Sequence, residues 1–348
     1  MLEKKDKQFK ALALTIDTFT TLDLTGVGLV GELFKARLKH QKGPMCTRAA
    51  EMIAKRFENN DGPALIATGF PEGGGIPETD GPVGASMLAR ALFLGLGVNS
   101  VIVTDEDWLD CVKGACRGAG MVPLMLPVSG KVSKIEYLRP VFIKTVPKDW
   151  NKTRDISVEL LETTKPRLMF AIERAGMNKH GVYHSMSGRV LNDLTTDLDY
   201  LFRKGQEIGI PFIGFGDGGN ELGMGVIADD LATILPKAKD CGCPCGGGIA
   251  SATAADILVV ASVSNWAVTG VIAALALVTN NPAVMHEPEH EIRSIELCTA
   301  CGGVDGLSMS PEPAVDGIKA AEWLGLLRAM KGIVYRGMGV IKDWRQLK

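Results

Sequence analysis

The chain carries almost no net charge: 38 Lys and Arg against 40 Asp and Glu leave a formal −2, with a pI near 6.3. That balance removes the electrostatic case for nucleic acid or an anionic membrane surface as a partner. The opening residues, MLEKKDKQFKALALTIDTF, lack a sustained apolar stretch ending in small residues. No secretion signal is read there, and the expected location is cytoplasmic. The glycine-rich loop at 69–84 is not followed by Gly-Lys-Ser/Thr, does not spell GxGxxG and holds no Lys or Arg. A P-loop and a dinucleotide fingerprint are thereby excluded at that loop. The chain also lacks an internal repeat of fixed period and a low-complexity linker.

What is present is ordinary for a soluble globular protein. At 348 residues, 46% hydrophobic and 22% charged, the chain can bury a large α/β core. It is read as a single catalytic domain over 1–348, with 1–60 a helical lead-in packed on the core. The eight cysteines, without a secretion signal, are expected to be reduced thiols with no catalytic part. Cys241, Cys243 and Cys245 form one cluster and Cys298 with Cys301 a CxxC, but these do not compose the paired CxxC of a zinc ribbon. A structural metal is the alternative reading. In HEPEH (286–290), Pro288 disfavours a helical turn between His286 and His290, so a solvated loop or a helix start is expected.

One segment, ADILVVASVSNWAVTGVIAALALVT (255–279), is apolar enough to suggest a membrane span. Ser262, Ser264, Asn265 and Trp266 interrupt its middle, its first half is β-branched and its second rich in Ala and Leu. A buried strand running into a buried helix fits that change better than a span.

Strand-then-helix units recur along the chain. Apolar strands are expected at 63–69, 99–105, 122–128, 167–176, near 212–216 and from 256, with helices at 85–97, 106–120 and 156–164 between them. Further helices are expected in the N-terminal sixty residues and near the C-terminus. The strands do not alternate cleanly, as befits a sheet covered on both faces, so a doubly wound, mostly parallel α/β fold is expected.

The residues at the strand ends carry the chemistry. Thr68, Gly69 and then Asp80 follow the first strand, and Glu173 and Arg174 close the fourth. Asp217, Gly218, Gly219, Asn220 and Glu221 follow the fifth, and Ser264 and Asn265 the sixth. Any one of these reads as a cap, a turn or an ion pair. Together they occupy the position where open α/β sheets bind ligands.

Several blocks, TGF then ETDGPVGA, IERAGMNKHGVYHSMSG, GDGGNELGMG, ADILVVASVSNWAVTGV, and GVDG with PAVDG, span residues 65–320. In that order they resemble the D-glutamate cyclase family, in whose multidomain members the region is the C-terminal part; here it is read as a stand-alone chain. The cysteine cluster at 241–245 departs from the family pattern. The resemblance implies conversion of D-glutamate to 5-oxo-D-proline with loss of water. That reaction requires deprotonating the amine, neutralising a carboxylate and protonating the departing oxygen.

On the residues, the turn at 216–219 is expected to start a helix and offer its N–H groups to a substrate carboxylate or oxyanion. Asp217 and Glu221, four apart, are expected on one face of that turn, one as general base and one as ligand to Mg²⁺ or Mn²⁺. Asp80 is a further metal candidate, Glu173 a further catalytic carboxylate and His184 a proton donor. Arg174 is read as a carboxylate clamp, with Thr68, Gly69, Asp80, Gly218, Gly219, Asn220, Ser264 and Asn265 orienting substrate. No organic cofactor is expected, and self-association into a homo-oligomer is left open. Two competing readings stand: a metal-assisted lyase or hydrolase for another small dicarboxylate or lactam, and a non-catalytic nucleotide- or metabolite-binding module. The number of carboxylates weighs against the module.

Overall fold

The computed structural model describes residues 2–59, 61–132, 135 and 137–340; residues 341–348, part of the expected 1–348 domain, lie outside them. Seven parallel strands form the central sheet: β1 (Ala64–Gly69), β2 (Ser100–Asp105), β3 (Val122–Met125), β4 (Pro140–Val146), β5 (Leu168–Arg174), β6 (Phe212–Gly216) and β7 (Ile257–Val260). Their order is β3-β4-β2-β1-β5-β6-β7. The chain runs outward from β1 on one side, then returns to place β5 on the other, so the winding reverses between β1 and β5. In doubly wound sheets that reversal opens a crevice at the carboxyl ends of the strands.

Adjacent residues of each strand feed opposite faces, and both faces are apolar. Ile66, Ile102, Ile143, Phe170 and Ile213 pack into one core, under α3 (Met45–Arg56), α4 (Pro82–Leu96), α5 (Leu109–Gly118), α10 (Ser264–Thr279) and α11 (Pro288–Ala300). Leu65, Val101, Phe142, Met169 and Ala171 point the other way, towards Leu160 and Leu161 of α6 (Trp150–Thr164) and Leu198 and Phe202 of α7 (Leu198–Glu207). Each of the larger of these side chains, the Val, Leu, Ile, Phe and Met, stabilises the fold by roughly 1.5–3 kcal/mol when fully buried.

The apolar segment at 255–279 becomes β7 followed by α10, as its change of residue type implied. α10 is buried from Ser264 through Ala276 and touches α1 (Leu2–Thr20), α3, α4 and α12 (Ala320–Gly337). A helix that is apolar all round is one enclosed by neighbours. Among the described residues, no helix is long and apolar enough to cross a membrane.

Two local expectations change, and a third holds in part. The expected helix after β6 does not form at 219: the chain stays irregular until a 3₁₀ turn at Gly225–Ile227, and an α-helix starts only at Ala228. Gly219 and Gly223 hold φ of 108° and 113°, outside the helical region. Strand β4 and helix α7 were not anticipated; β4 opens on Pro140, tolerated at a first strand position. HEPEH, which has the HExxH spacing, holds the helix start that was one of two expectations there: α11 begins at Pro288 and leaves His286 outside the helix. His286 is not solvated either: it is buried with Nε2 2.7 Å from Glu291 Oε2.

Candidate active site

The first carboxylate owes its place to an irregularity. β1 and β5 pair in register up to Thr68 with Ile172, and then Gly69 faces Arg174, so Glu173 is an extra residue on its strand. Its φ is 38°, a left-handed value that costs a non-glycine residue free energy and is found where a side chain must be re-aimed. The bulge turns Glu173 towards the carboxyl-end crevice and Arg174 away from it. Gly81, at φ 93°, makes room: a Cβ there would stand 2.9 Å from Glu173 Cβ.

The turn after β6 is organised by Glu221. Its Oε1 accepts from Asp217 N at 2.9 Å and Gly218 N at 2.5 Å, and its Oε2 from Gly219 N at 2.6 Å. The N–H groups expected to greet a substrate anion therefore hold this chain's own carboxylate. Glu221 also bridges to Ala175, with Leu222 N donating to Arg174 O at 2.7 Å, which locks the turn onto the end of β5. A residue at 218 other than glycine would bring its Cβ within 3.2 Å of Glu221 Oε1.

Two helix N-termini meet beside these residues. Asp80 accepts from Ser264 N and Asn265 N, each at 2.7 Å, and so caps α10. Asn265 Oδ1 accepts from Gly81 N at 2.9 Å and Gly84 N at 2.7 Å, and so caps α4. Ser264 Oγ donates to Glu173 Oε2 at 2.6 Å, and Ser264 N also reaches Asp217 Oδ2 at 3.1 Å. Ser264 and Asn265, expected to touch substrate, instead position the carboxylates.

These groups surround a cavity of about 510 Å³, ample for a small metabolite. Asp80, Glu173, Asp217, Gly218, Asn220 and Glu221 line it as expected, and Glu72, Glu78, Asp316 and Arg189 join them. Val27, Val30, Phe70 and Leu307 supply an apolar part of the wall. Seven carboxylates thus face one cation among the described lining residues. Asp80, Asp217 and Asp316 form one cluster of ligand atoms within 4.8 Å of one another, and Glu173, Asp217 and Glu221 a second.

Burial pushes Glu173, Asp217, Glu78 and Asp316 well above the usual carboxylate range, and their neighbours' negative charges push the same way. Asp80 is raised by burial to about 6, with the N–H donors of Asn265, Ser264 and Gly81 opposing the rise. Oxygen donors crowded together without a buried cation suit a hard divalent ion such as Mg²⁺ or Mn²⁺.

Asp316 was not anticipated as a site residue, and Glu78 was noted only beside Asp80 at the end of the first strand with no role given to it; they lie in conspicuous motifs, PAVDG and ETDG. Asp316 has a left-handed φ of 50°, and a Cβ at Gly306 would sit 2.2 Å from Glu78 Oε2. The glycines beside these carboxylates were the visible signal.

Four expected residues sit elsewhere. The Arg174 guanidinium is buried against Asp105, Thr195 and Thr196, 5.5 Å from the Trp108 ring, and does not line the cavity. Thr68 and Gly69 are outside the lining as well; a Cβ at Gly69 would meet Trp108 at 2.5 Å, so its glycine serves packing. His184 is outside the lining too: its Nε2 faces Cys243 Sγ at 3.2 Å. The CxxC cysteines do not join the 241–245 cluster: Cys298 Sγ lies 3.0 Å from Cys111 Sγ.

Residues 23–331 match the family described as D-glutamate cyclase-like, C-terminal. Over 212 residues the chain is 30% identical to a Homo sapiens protein named D-glutamate cyclase, mitochondrial; the match covers 58% of this chain and 30% of that protein. The match therefore spans less than a third of that relative's length.

Proposed function

The chain belongs to the D-glutamate cyclase-like family, and on that premise we propose that its cavity takes D-glutamate and closes it to 5-oxo-D-proline. The observation that supports this most is Asp217, shared by two carboxylate clusters at the carboxyl edge of the sheet. In the reaction the α-nitrogen bonds to the side-chain carboxyl carbon. The ammonium gives up two protons, and they leave with one carboxylate oxygen as water.

The residues divide the work. Glu173, raised by burial, would be favoured in its ionised form by a substrate ammonium beside it; it relays the two protons, one after the other, from the nitrogen to the departing oxygen. Ser264 Oγ holds Glu173 in place for both transfers. Glu221 fixes the turn that carries Asp217, and Arg189 at the rim pairs with the substrate α-carboxylate. Asp80, Asp217 and Asp316 would hold a divalent cation. Bound there, it would neutralise the side-chain carboxylate and make its carbon electrophilic.

The test is incubation of the full chain with D-glutamate and with L-glutamate, with and without Mn²⁺, scored for 5-oxoproline by mass spectrometry. Metal-dependent product from the D enantiomer, lost in D217N, supports the reading. Absence of product from either enantiomer with Mn²⁺ present overturns it. Turnover of another dicarboxylate or a lactam under the same conditions would favour the competing metal-assisted hydrolase.

A further inference from the structure

Away from the carboxylates, two loops bring four soft or borderline donors to one point. His184, from the segment after β5, and Cys241, Cys243 and Cys245, from the loop after the short helix Pro236–Lys239, have ligand atoms all within 4.8 Å of one another. Cys241 Sγ lies 3.2 Å from Cys243 Sγ and 3.5 Å from Cys245 Sγ, and His184 Nε2 lies 3.2 and 3.7 Å from Cys243 and Cys245. Metal bonds of about 2.3 Å to sulfur and about 2.0 Å to nitrogen give a tetrahedron with edges of roughly 3.5–3.8 Å. Three of these four distances lie within about 0.3 Å of the matching edge, and the Cys241–Cys243 pair is about 0.6 Å short of it. They are too long for a disulfide, and all three cysteines are free.

The surroundings also suit thiolates. Cys245 N donates to Cys243 Sγ at 3.4 Å, and Gly247 N and Asn178 Nδ2 donate to Cys245 Sγ at 3.3 Å each. Such N–H donors offset the charge that three ligating sulfurs carry. Gly242, Gly246 and Gly248 take φ between 61° and 79°, which lets the loop fold back on itself. A Cβ at Gly188 would stand 2.1 Å from Cys241 O, so the two loops are in close contact.

We propose that His184, Cys241, Cys243 and Cys245 bind one zinc ion in a closed, structural Cys₃His site. Four protein ligands leave no open position, which separates it from a catalytic zinc. Its effect on the cavity is mechanical. His184 O accepts from Asn220 Nδ2 at 2.8 Å, and Ser185, Met186 and Arg189, just beyond His184, line the cavity wall. Tying His184 to the cysteine loop therefore braces the rim. The inference stands independently of the reaction proposed above.

The test is metal analysis of the full chain purified without chelator, together with cobalt substitution. About one zinc per chain is expected in the parent, in D217N and in C298S, with less than about 0.1 in C243S and C245S. Cobalt in the parent should show the thiolate charge-transfer absorption and the intense visible bands of a tetrahedral sulfur site, which carboxylate ligands do not give. If the cysteine variants fail to fold, the cobalt spectrum of the parent decides alone. A parent that binds neither zinc nor cobalt through sulfur, or a mass two hydrogens lower from a disulfide in this loop, overturns the proposal.

Discussion

Asp80 and Asn265 exchange caps: the carboxylate of Asp80 holds the first N–H groups of α10, and the side-chain amide oxygen of Asn265 holds those of α4. Two helices from distant parts of the chain thus start against each other, and both starts face the cavity. Asn265→Ala strips acceptors from two buried N–H groups. It is expected to cost about 2–6 kcal/mol, at 1–3 kcal/mol for each unpaired donor. Calorimetry should show a Tm lower by several degrees, and turnover should fall as Asp80 loses its fixed place. An unchanged Tm would mean that water replaces the cap.

Asp217→Asn removes a charge that two carboxylate clusters share. Turnover of D-glutamate is expected to fall by roughly 10²- to 10⁴-fold. Tm should hold or rise, because the raised pKa of Asp217 means its ionised form opposes folding at neutral pH. Activity within tenfold of the parent would remove Asp217 from the site.

Glu221→Gln should behave differently. Glutamine offers one acceptor oxygen and an NH₂ group where three N–H donors now converge on a carboxylate. The loss is expected to be about 1–3 kcal/mol of stability with a matching drop in turnover. Urea unfolding of both variants side by side checks the contrast; equal stability in the two would show that Glu221 does not organise the turn.

The carboxylates also set a pH dependence. Glu78, Glu173, Asp217 and Asp316 are raised in the folded state, and Asp80 reaches about 6. Groups raised on folding bind protons more tightly in the folded chain. Their stabilisation is full below the unfolded values near 4 and is lost as pH rises through the folded ones. Stability of the metal-free protein should therefore decline from about pH 4 through pH 6 and beyond. The Tm gain from Mn²⁺ should grow over the same range, as protons cease to compete for the oxygens. Thermal shifts at pH 5 and pH 8 with and without Mn²⁺ check this, and a larger gain at pH 5 would contradict it.

Arg189→Ala should raise KM for the substrate about tenfold, near 1.4 kcal/mol, with kcat changed less, because a rim contact serves binding more than chemistry. A fall in kcat at constant KM would place Arg189 in the chemistry instead.

Much of this protein was legible in the residues alone. Apolar runs such as ALIATG and SVIVTD read as buried strands and form them, and the change from DILVV to AALAL marked a strand passing into a helix. Glycines clustered beside Asp80, Asp217 and Glu221 marked residues that line the cavity, because glycine next to carboxylates at a strand end reports close approach. Direction and partnership were decided only by the folded chain. Glu173 and Arg174 are neighbours in sequence, yet a single bulge sends one into the cavity and the other into the core. Asp217 and Glu221 read as helical spacing, but Glu221 satisfies the turn's amides and no helix starts there. Cys241, Cys243 and Cys245 lacked a fourth ligand until the fold carried His184 across to them from 57 residues before the first. Such contacts depend on which loops the sheet order brings together, and local sequence carries no record of that order.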